Sequence, residues 1–202
     1  MTLWLGKSSL ILASQSRARQ TLLANAGLAF ETMTADIDER AIQQDSNLST
    51  PGDVAGLLAR EKAFWVSSRR SGHYVIGADQ TLALGPRLFN KPAGRFEARE
   101  QLRALAGRGH ELHSAVAVAR DGKILFADVS IARMTMRLLG EAEIDAYLDA
   151  AGEAVSTSVG AYQLEGLGVH LFERIEGDHF TILGLPLLPL LAFLRSERLL
   201  AV

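Results

Sequence analysis

The chain predicts an α/β fold, and three observations carry that expectation. Leu10-Ile11-Leu12 is a short apolar run that breaks at once into Ser14 and Ser16, then into a helical pattern with Leu22, Leu23 and Ala26 inward and Gly27 as a stop. Val75-Ile76-Gly77-Ala78 is a second apolar run, and it carries Asp79 after a long amphipathic pattern. Residues 112–118 and 124–136 are β-rich and are joined by Asp121-Gly122, a dipeptide suited to a two-residue hairpin turn. Strands that alternate with helical patterns belong to the α/β class.

The first turn gathers hydroxyls, unsatisfied backbone N–H groups and the positive end of a helix dipole, the ingredients of an anion site. Arg17 and Arg19 add guanidinium forks that match phosphate oxygens. An ordinary helix cap beside two solvated arginines fits the same residues. Residues 30–33 read as a strand. Asp36, Asp38, Glu39 and Asp45 then form a polar segment, either a solvated acidic loop or a source of hard oxygen ligands for a divalent cation. Thr50-Pro51-Gly52-Asp53 starts a helix that runs to about Arg70, with Val54, Leu57, Leu58, Phe64 and Trp65 as its apolar stripe. Glu61 falls within that stripe and Lys62 at its edge. Charges on an inward face need partners, so Lys62 serves a structural ion pair or a ligand phosphate.

Asp79 lies at the middle or the end of its strand and is expected to leave it at the carboxyl edge of the sheet, where ligands sit in α/β folds. A carboxylate there is placed to act as a base or a metal ligand. Gly85-Pro86 marks a turn, Asn90-Lys91-Pro92 a loop, and residues 95–106 a helix with Ala98, Leu102 and Leu105 inward. His110 and His113 are three apart on a strand, so they face opposite sides and do not share a metal. A helix is expected over 141–150, a polar loop over 151–160, a strand over 169–172, and a last helix from Gly184-Leu185-Pro186 with proline at its first position.

Composition narrows the function classes. The 202 residues are 48% hydrophobic, enough for a substantial core, and carry a net charge of −2, which argues against broad attraction to nucleic acid or membrane. No cysteine is present, which excludes disulfides and thiolate metal sites. The first residues lack a signal-peptide pattern, and the apolar run 182–194 is broken by Gly184, Pro186 and Pro189 and is too short to span a bilayer. A cytoplasmic protein is expected. No repeat, low-complexity segment or linker divides the chain.

The separated motifs, taken in order, resemble the Maf family of nucleotide pyrophosphatases. The family's Ser-x-Ser-Pro-Arg-Arg stands here as Ser14-Gln15-Ser16-Arg17-Ala18-Arg19. Asp38-Glu39, Lys62-Ala63, Gly77-Ala78-Asp79-Gln80, Lys91-Pro92 and Gly107-Arg108-Gly109-His110 match its later landmarks. So do Ala161-Tyr162, Gly177-Asp178 and Gly184-Leu185-Pro186. The resemblance implies one domain over residues 1–202, built as a mixed, curved central sheet flanked by helices, with two lobes around a cleft. It implies hydrolysis of a nucleoside triphosphate to the monophosphate and pyrophosphate with Mg²⁺ or Mn²⁺. In that scheme Asp79 is the base and a metal ligand. Glu39 helps hold the cation, and Ser14, Arg19, Lys62 and Lys91 hold the triphosphate.

Two positions depart from the family pattern. The motif proline is absent, and Ala18 stands where the family has Arg, or Trp in the branch that prefers 7-methyl-GTP. Gln80 and Glu165 resemble that branch all the same, so Ala18, Gln80 and Glu165 are the expected specificity positions. Two further readings stay open: a nucleotide-binding regulator of septum formation, and a pyrophosphatase for dTTP, UTP or deaminated purines. The oligomeric state, a homodimer included, is not written in the sequence.

Overall fold

The structure, a computed structural model, describes residues 3–202. It holds a seven-stranded mixed sheet of order β2-β1-β3-β5-β6-β7, with β4 added on β3, and helices flank it. The strands are β1 (Leu10–Ala13), β2 (Phe30–Thr32), β3 (Val75–Leu84), β4 (Arg87–Phe89), β5 (Gly109–Arg120), β6 (Lys123–Met136) and β7 (Phe172–Glu176). The chain divides into two compact units. One takes the chain up to Gln80, Ser114–Ser130 and Leu183–Val202; the other takes Thr81–His113 and Ile131–Ile182. The long strands β3, β5 and β6 run through both.

In the first unit, β1 pairs in parallel with β2 and β3, from Leu10 opposite Phe30 to Ala13 opposite Gly77. Parallel neighbours need crossovers. Helix α1 (Arg17–Asn25) supplies the one from β1 to β2; α2 (Glu39–Asp45) and α3 (Pro51–Ser67) lie between β2 and β3. All four residues of β1 are buried, which explains its unbroken apolar run. Helix α3 approaches the sheet on alanines: Ala55, Ala59 and Ala63 cluster with Ala115, Ala117 and Ala119 of β5. A Cβ on Gly77 would stand 2.1 Å from the Ala59 carbonyl oxygen and 2.6 Å from the Ala63 nitrogen, so only glycine admits the helix there. Helix α7 (Leu187–Ser196), which follows the short helix α6 (His179–Ile182) in the chain, buries Leu187, Leu190 and Leu194.

The second unit packs α4 (Arg95–Leu105) and α5 (Glu141–Ala151) over a core that includes Leu102, Leu105, Met134, Met136, Ile144 and Leu148. Arg99 and Arg103 of α4 meet Glu141 of α5 at 2.6–2.8 Å. These pairs are solvent-exposed and add little to stability. The hairpin turn falls where expected, with Asp121 at φ 50° and Gly122 at φ 70°, the left-handed pair of a primed turn.

Several expectations are corrected. The acidic segment after β2 is a loop only at its start: Asp36 stays exposed in it, whereas Asp38 accepts from the backbone N–H groups of Arg40 and Ala41 at 3.1 Å and starts α2. Helix α3 ends at Ser67, and its buried stripe runs through Val54, Ala55, Leu58, Ala59, Ala63 and Val66, leaving Phe64 46% exposed. The small alanines, not the large aromatics, take the inward side because the sheet lies so near. Residues 152–156 form a 3₁₀ turn rather than a loop, and 167–171 a second one, so the strand begins only at Phe172. Pro186 is the cap of α7, not its first residue. Among the described residues no helix is long and apolar enough to cross a membrane.

Candidate active site

Five of the expected site residues, Ser14, Arg19, Glu39, Lys62 and Asp79, meet in the first unit. Parallel pairing of β1 with β3 stops at Ala13 opposite Gly77, while β3 continues to Leu84. Asp79 therefore sits in mid-strand, one of the two placements open in the sequence. Because β1 has already stopped, it still lies past the carboxyl edge of the β1–β3 pair. Residues 81–84 stay in the sheet because they are buried and pair with β4.

Asp79 is buried, and its Oδ1 receives Lys62 Nζ at 2.6 Å. The same ammonium reaches Glu39 Oε1 at 2.9 Å. The side chains of Lys62 and Asp79 are each 12% exposed, and that of Glu39 is 48% exposed. Lys62 is thus the shared counter-cation of two carboxylates from two other elements. Its ion-pair partners are Asp79 and Glu39.

Arg19 forms a second hub. Its Nε donates to the Gly184 carbonyl at 2.7 Å; its Nη1 donates to the Ala78 carbonyl at 2.9 Å and to Ser14 Oγ at 3.2 Å. Burial lowers the pKa of this guanidinium, and the charges of Asp79 and Glu39 oppose the shift. Ser14 Oγ also accepts from the Ser16 backbone N–H at 3.2 Å, and Ser16 caps α1. The serine hydroxyls and Arg19 therefore build the turn, and they leave the remaining N–H groups at the start of α1 for an anion. Gln80 donates through Nε2 to Ser114 Oγ at 2.9 Å. Ala18 is half-buried in the first turn of α1.

Gly184 and Ser114 were missed as site residues. Gly184 acts through its carbonyl, which has no side-chain signature, and its motif reads only as a helix start. It stands at φ 89°, and a Cβ there would come within 3.3 Å of Arg19 Nε and Nη2 and within 3.6 Å of Gln80 Oε1. Lys91 and Glu165 belong to the second unit. Lys91 is exposed between β4 and α4, and Glu165 is exposed in the turn before Leu167. His110 and His113 take separate partners: His110 Nε2 meets the Tyr162 hydroxyl at 2.8 Å, and His113 Nε2 meets Glu111 at 3.0 Å.

The donor set fits a hard cation shared with a substrate. Among the described residues no group of three or more His, Cys, Asp or Glu side chains gathers as a metal site. Two carboxylates nevertheless converge on one cationic atom, Lys62 Nζ. Mg²⁺ and Mn²⁺ are commonly held by one or two carboxylates, with phosphate oxygens and water completing the shell.

A family described as Maf-like protein matches residues 9–197. A protein of Bradyrhizobium diazoefficiens called nucleoside triphosphate pyrophosphatase is 75% identical over the whole of both chains. A protein of Brucella abortus called 7-methyl-GTP pyrophosphatase is 53% identical over 94% of this chain and 96% of its own. The solved structure of a HAM1 protein from Coxiella burnetii aligns with a TM-score of 0.41 and 19% identity, over 63% of this chain and 72% of that one. Residues 9–197 carry the serine turn, Glu39, Lys62, Asp79 and Gly184 in one continuous match, and the chain belongs to the Maf family.

Proposed function

We propose that this protein hydrolyses nucleoside triphosphates to the monophosphate and pyrophosphate, with a divalent cation, and that its preferred substrate is 7-methyl-GTP. The carrying observation is Asp79: a buried carboxylate just past the edge of the β1–β3 pair, paired with Lys62, whose ammonium also meets Glu39. Its relatives over the full chain length are named as hydrolases of this class.

Hydrolysis at the α-phosphorus needs a water oxygen as nucleophile, a base for its proton, and cover for the charge on the phosphates. Asp79 takes the proton. The water oxygen bonds to phosphorus, and the bond to the bridging oxygen breaks to release pyrophosphate. The Ser14 turn, the free Nη2 side of Arg19 and the first N–H groups of α1 hold phosphate oxygens. Lys62 and Lys91 add positive charge to the leaving pyrophosphate. Glu39 and Asp79 would hold Mg²⁺ or Mn²⁺, which when bound neutralises phosphate charge.

Base choice rests on Glu165, Gln80 and Ala18. An ionised carboxylate only accepts hydrogen bonds, and the guanine edge presents adjacent N–H donors. Methylation at position 7 makes the purine cationic and strengthens its pairing with Glu165. The alternative is that Ala18 leaves a permissive pocket that takes pyrimidines. The experiment is pyrophosphate release from 7-methyl-GTP, GTP, UTP, dTTP, CTP and inosine triphosphate, by wild type and Glu165→Gln. Wild type should favour 7-methyl-GTP, and the variant should lose about tenfold in the 7-methyl-GTP to UTP ratio of kcat/KM. A wild type that favours UTP, or an unchanged ratio in the variant, refutes the assignment.

A further inference from the structure

We infer that Lys62 occupies the cation seat of the resting site and leaves it only when a divalent cation arrives together with a nucleoside triphosphate. The free protein then binds the cation weakly, and cation and nucleotide bind cooperatively. The inference rests on the proposed function for the identity of the nucleotide.

The argument is one of charge. Asp79 and Glu39 are two negative groups, and Lys62 and Arg19 are two positive ones, so the cluster is already neutral. Lys62 Nζ lies 2.6 Å from one carboxylate and 2.9 Å from the other, in the position that a shared metal ligand set would surround. A divalent ion added beside it would place like charges in near contact, next to Lys62 and Asp79 side chains that are each 12% exposed, where water screens them less than at the surface. One of the two must go. Arg19 is tied to the Gly184 and Ala78 carbonyls, so it cannot yield. Lys62 can, because its ammonium ends a flexible four-carbon stem.

An ammonium that leaves two carboxylates needs another anion. Without nucleotide the pocket offers none, and leaving a charge unpaired there is unfavourable. A triphosphate supplies the missing partner. Lys62 therefore moves from Asp79 and Glu39 to the phosphates in the same event that brings the cation to the carboxylates. Each ligand raises the affinity for the other by the same factor.

The test is Mn²⁺ binding to the nucleotide-free protein, read from the electron paramagnetic resonance of the free ion. Lys62→Met removes the competing ammonium, although it also removes a phosphate partner. Its Mn²⁺ affinity should rise by about tenfold, or about 1.4 kcal/mol. An equal or weaker affinity overturns the inference. A second measurement needs no variant: the scalar coupling between the Lys62 ammonium nitrogen and the Asp79 carboxylate carbon, by nuclear magnetic resonance. It should persist with Mg²⁺ alone and vanish when Mg²⁺ and an α,β-methylene triphosphate are both added. Loss with Mg²⁺ alone, or persistence in the ternary complex of an enzyme that turns over nucleotides, overturns the exchange and leaves the proposed function standing. A protein with no turnover and no spectral response to the analogue overturns both.

Discussion

Asp79 is set apart from the other acids in the chain by its surroundings. It is buried on β3 and held at 2.6 Å by a lysine from α3. Asp79→Asn keeps the shape and removes the proton acceptor. It should lower kcat by about 10²–10⁴-fold while nucleotide binding stays within a few-fold. Turnover and analogue binding, measured on one preparation, check this; turnover within threefold of wild type would take Asp79 out of the catalytic role. Much of this residue set was legible in the sequence. A carboxylate in an apolar strand, a lysine on an inward helix edge and serines after a strand are each visible as residues in the wrong place for a core. The pairing was not legible. Nothing local says that Lys62 meets Glu39 and Asp79 rather than its neighbour Glu61, because the choice depends on how α2 and β3 come together. Backbone acceptors such as the Gly184 and Ala78 carbonyls leave no mark in a sequence at all.

Helix α3 decides where Lys62 can reach. Its alanines sit against those of β5, and Gly77 lets the helix backbone come to the strand backbone. Gly77→Ala would put a methyl group into the Ala59 carbonyl and Ala63 nitrogen, so the helix must move outward. Overpacking of this kind destabilises by about 1–3 kcal/mol. Denaturant unfolding should show that loss, and kcat should fall with it because Lys62 and Asp79 no longer register. A variant with wild-type stability and wild-type kcat would mean that the helix has slack. The same closeness explains why the stripe of α3 was misjudged. Periodicity marks a helix face but not the depth of the space beneath it, and a shallow space selects alanine over Phe64. The missed helix α2 has a similar cause: it buries no residue, so its only signal was the Asp38 cap.

The molecule as a whole should be sensitive to acid in two separate windows. Burial pushes the His110 imidazole down to about 4 from its usual 6.5. The unfolded chain therefore binds a proton there that the folded chain refuses, and stability falls as pH drops from about 6.5 through about 4. Arg103 and Arg99 hold the Glu141 carboxyl down at about 2, from 4.5, and that contribution is lost only at lower pH. His110→Gln cannot titrate and keeps a polar group near the Tyr162 hydroxyl. Its unfolding midpoint should change less between pH 6.5 and 4.5 than that of wild type. An equal loss in both proteins would assign the acid sensitivity elsewhere. The alternation of strands and helices, the hairpin at Asp121-Gly122 and the inward residues of α4 were all readable from pattern. The strand order was not, since parallel pairing joins segments that are far apart in the chain.

The division into units has a practical meaning for anyone who wants to cut the protein apart. The chain passes between units four times, after Gln80, His113, Ser130 and Ile182, and the first three of these lie inside β3, β5 and β6. A gene truncated at those points would encode half-strands with raw hydrogen-bonding edges, which aggregate. Split reporters, permuted termini and inserted tags belong instead at the Asp121-Gly122 hairpin or the Gly85-Pro86 turn.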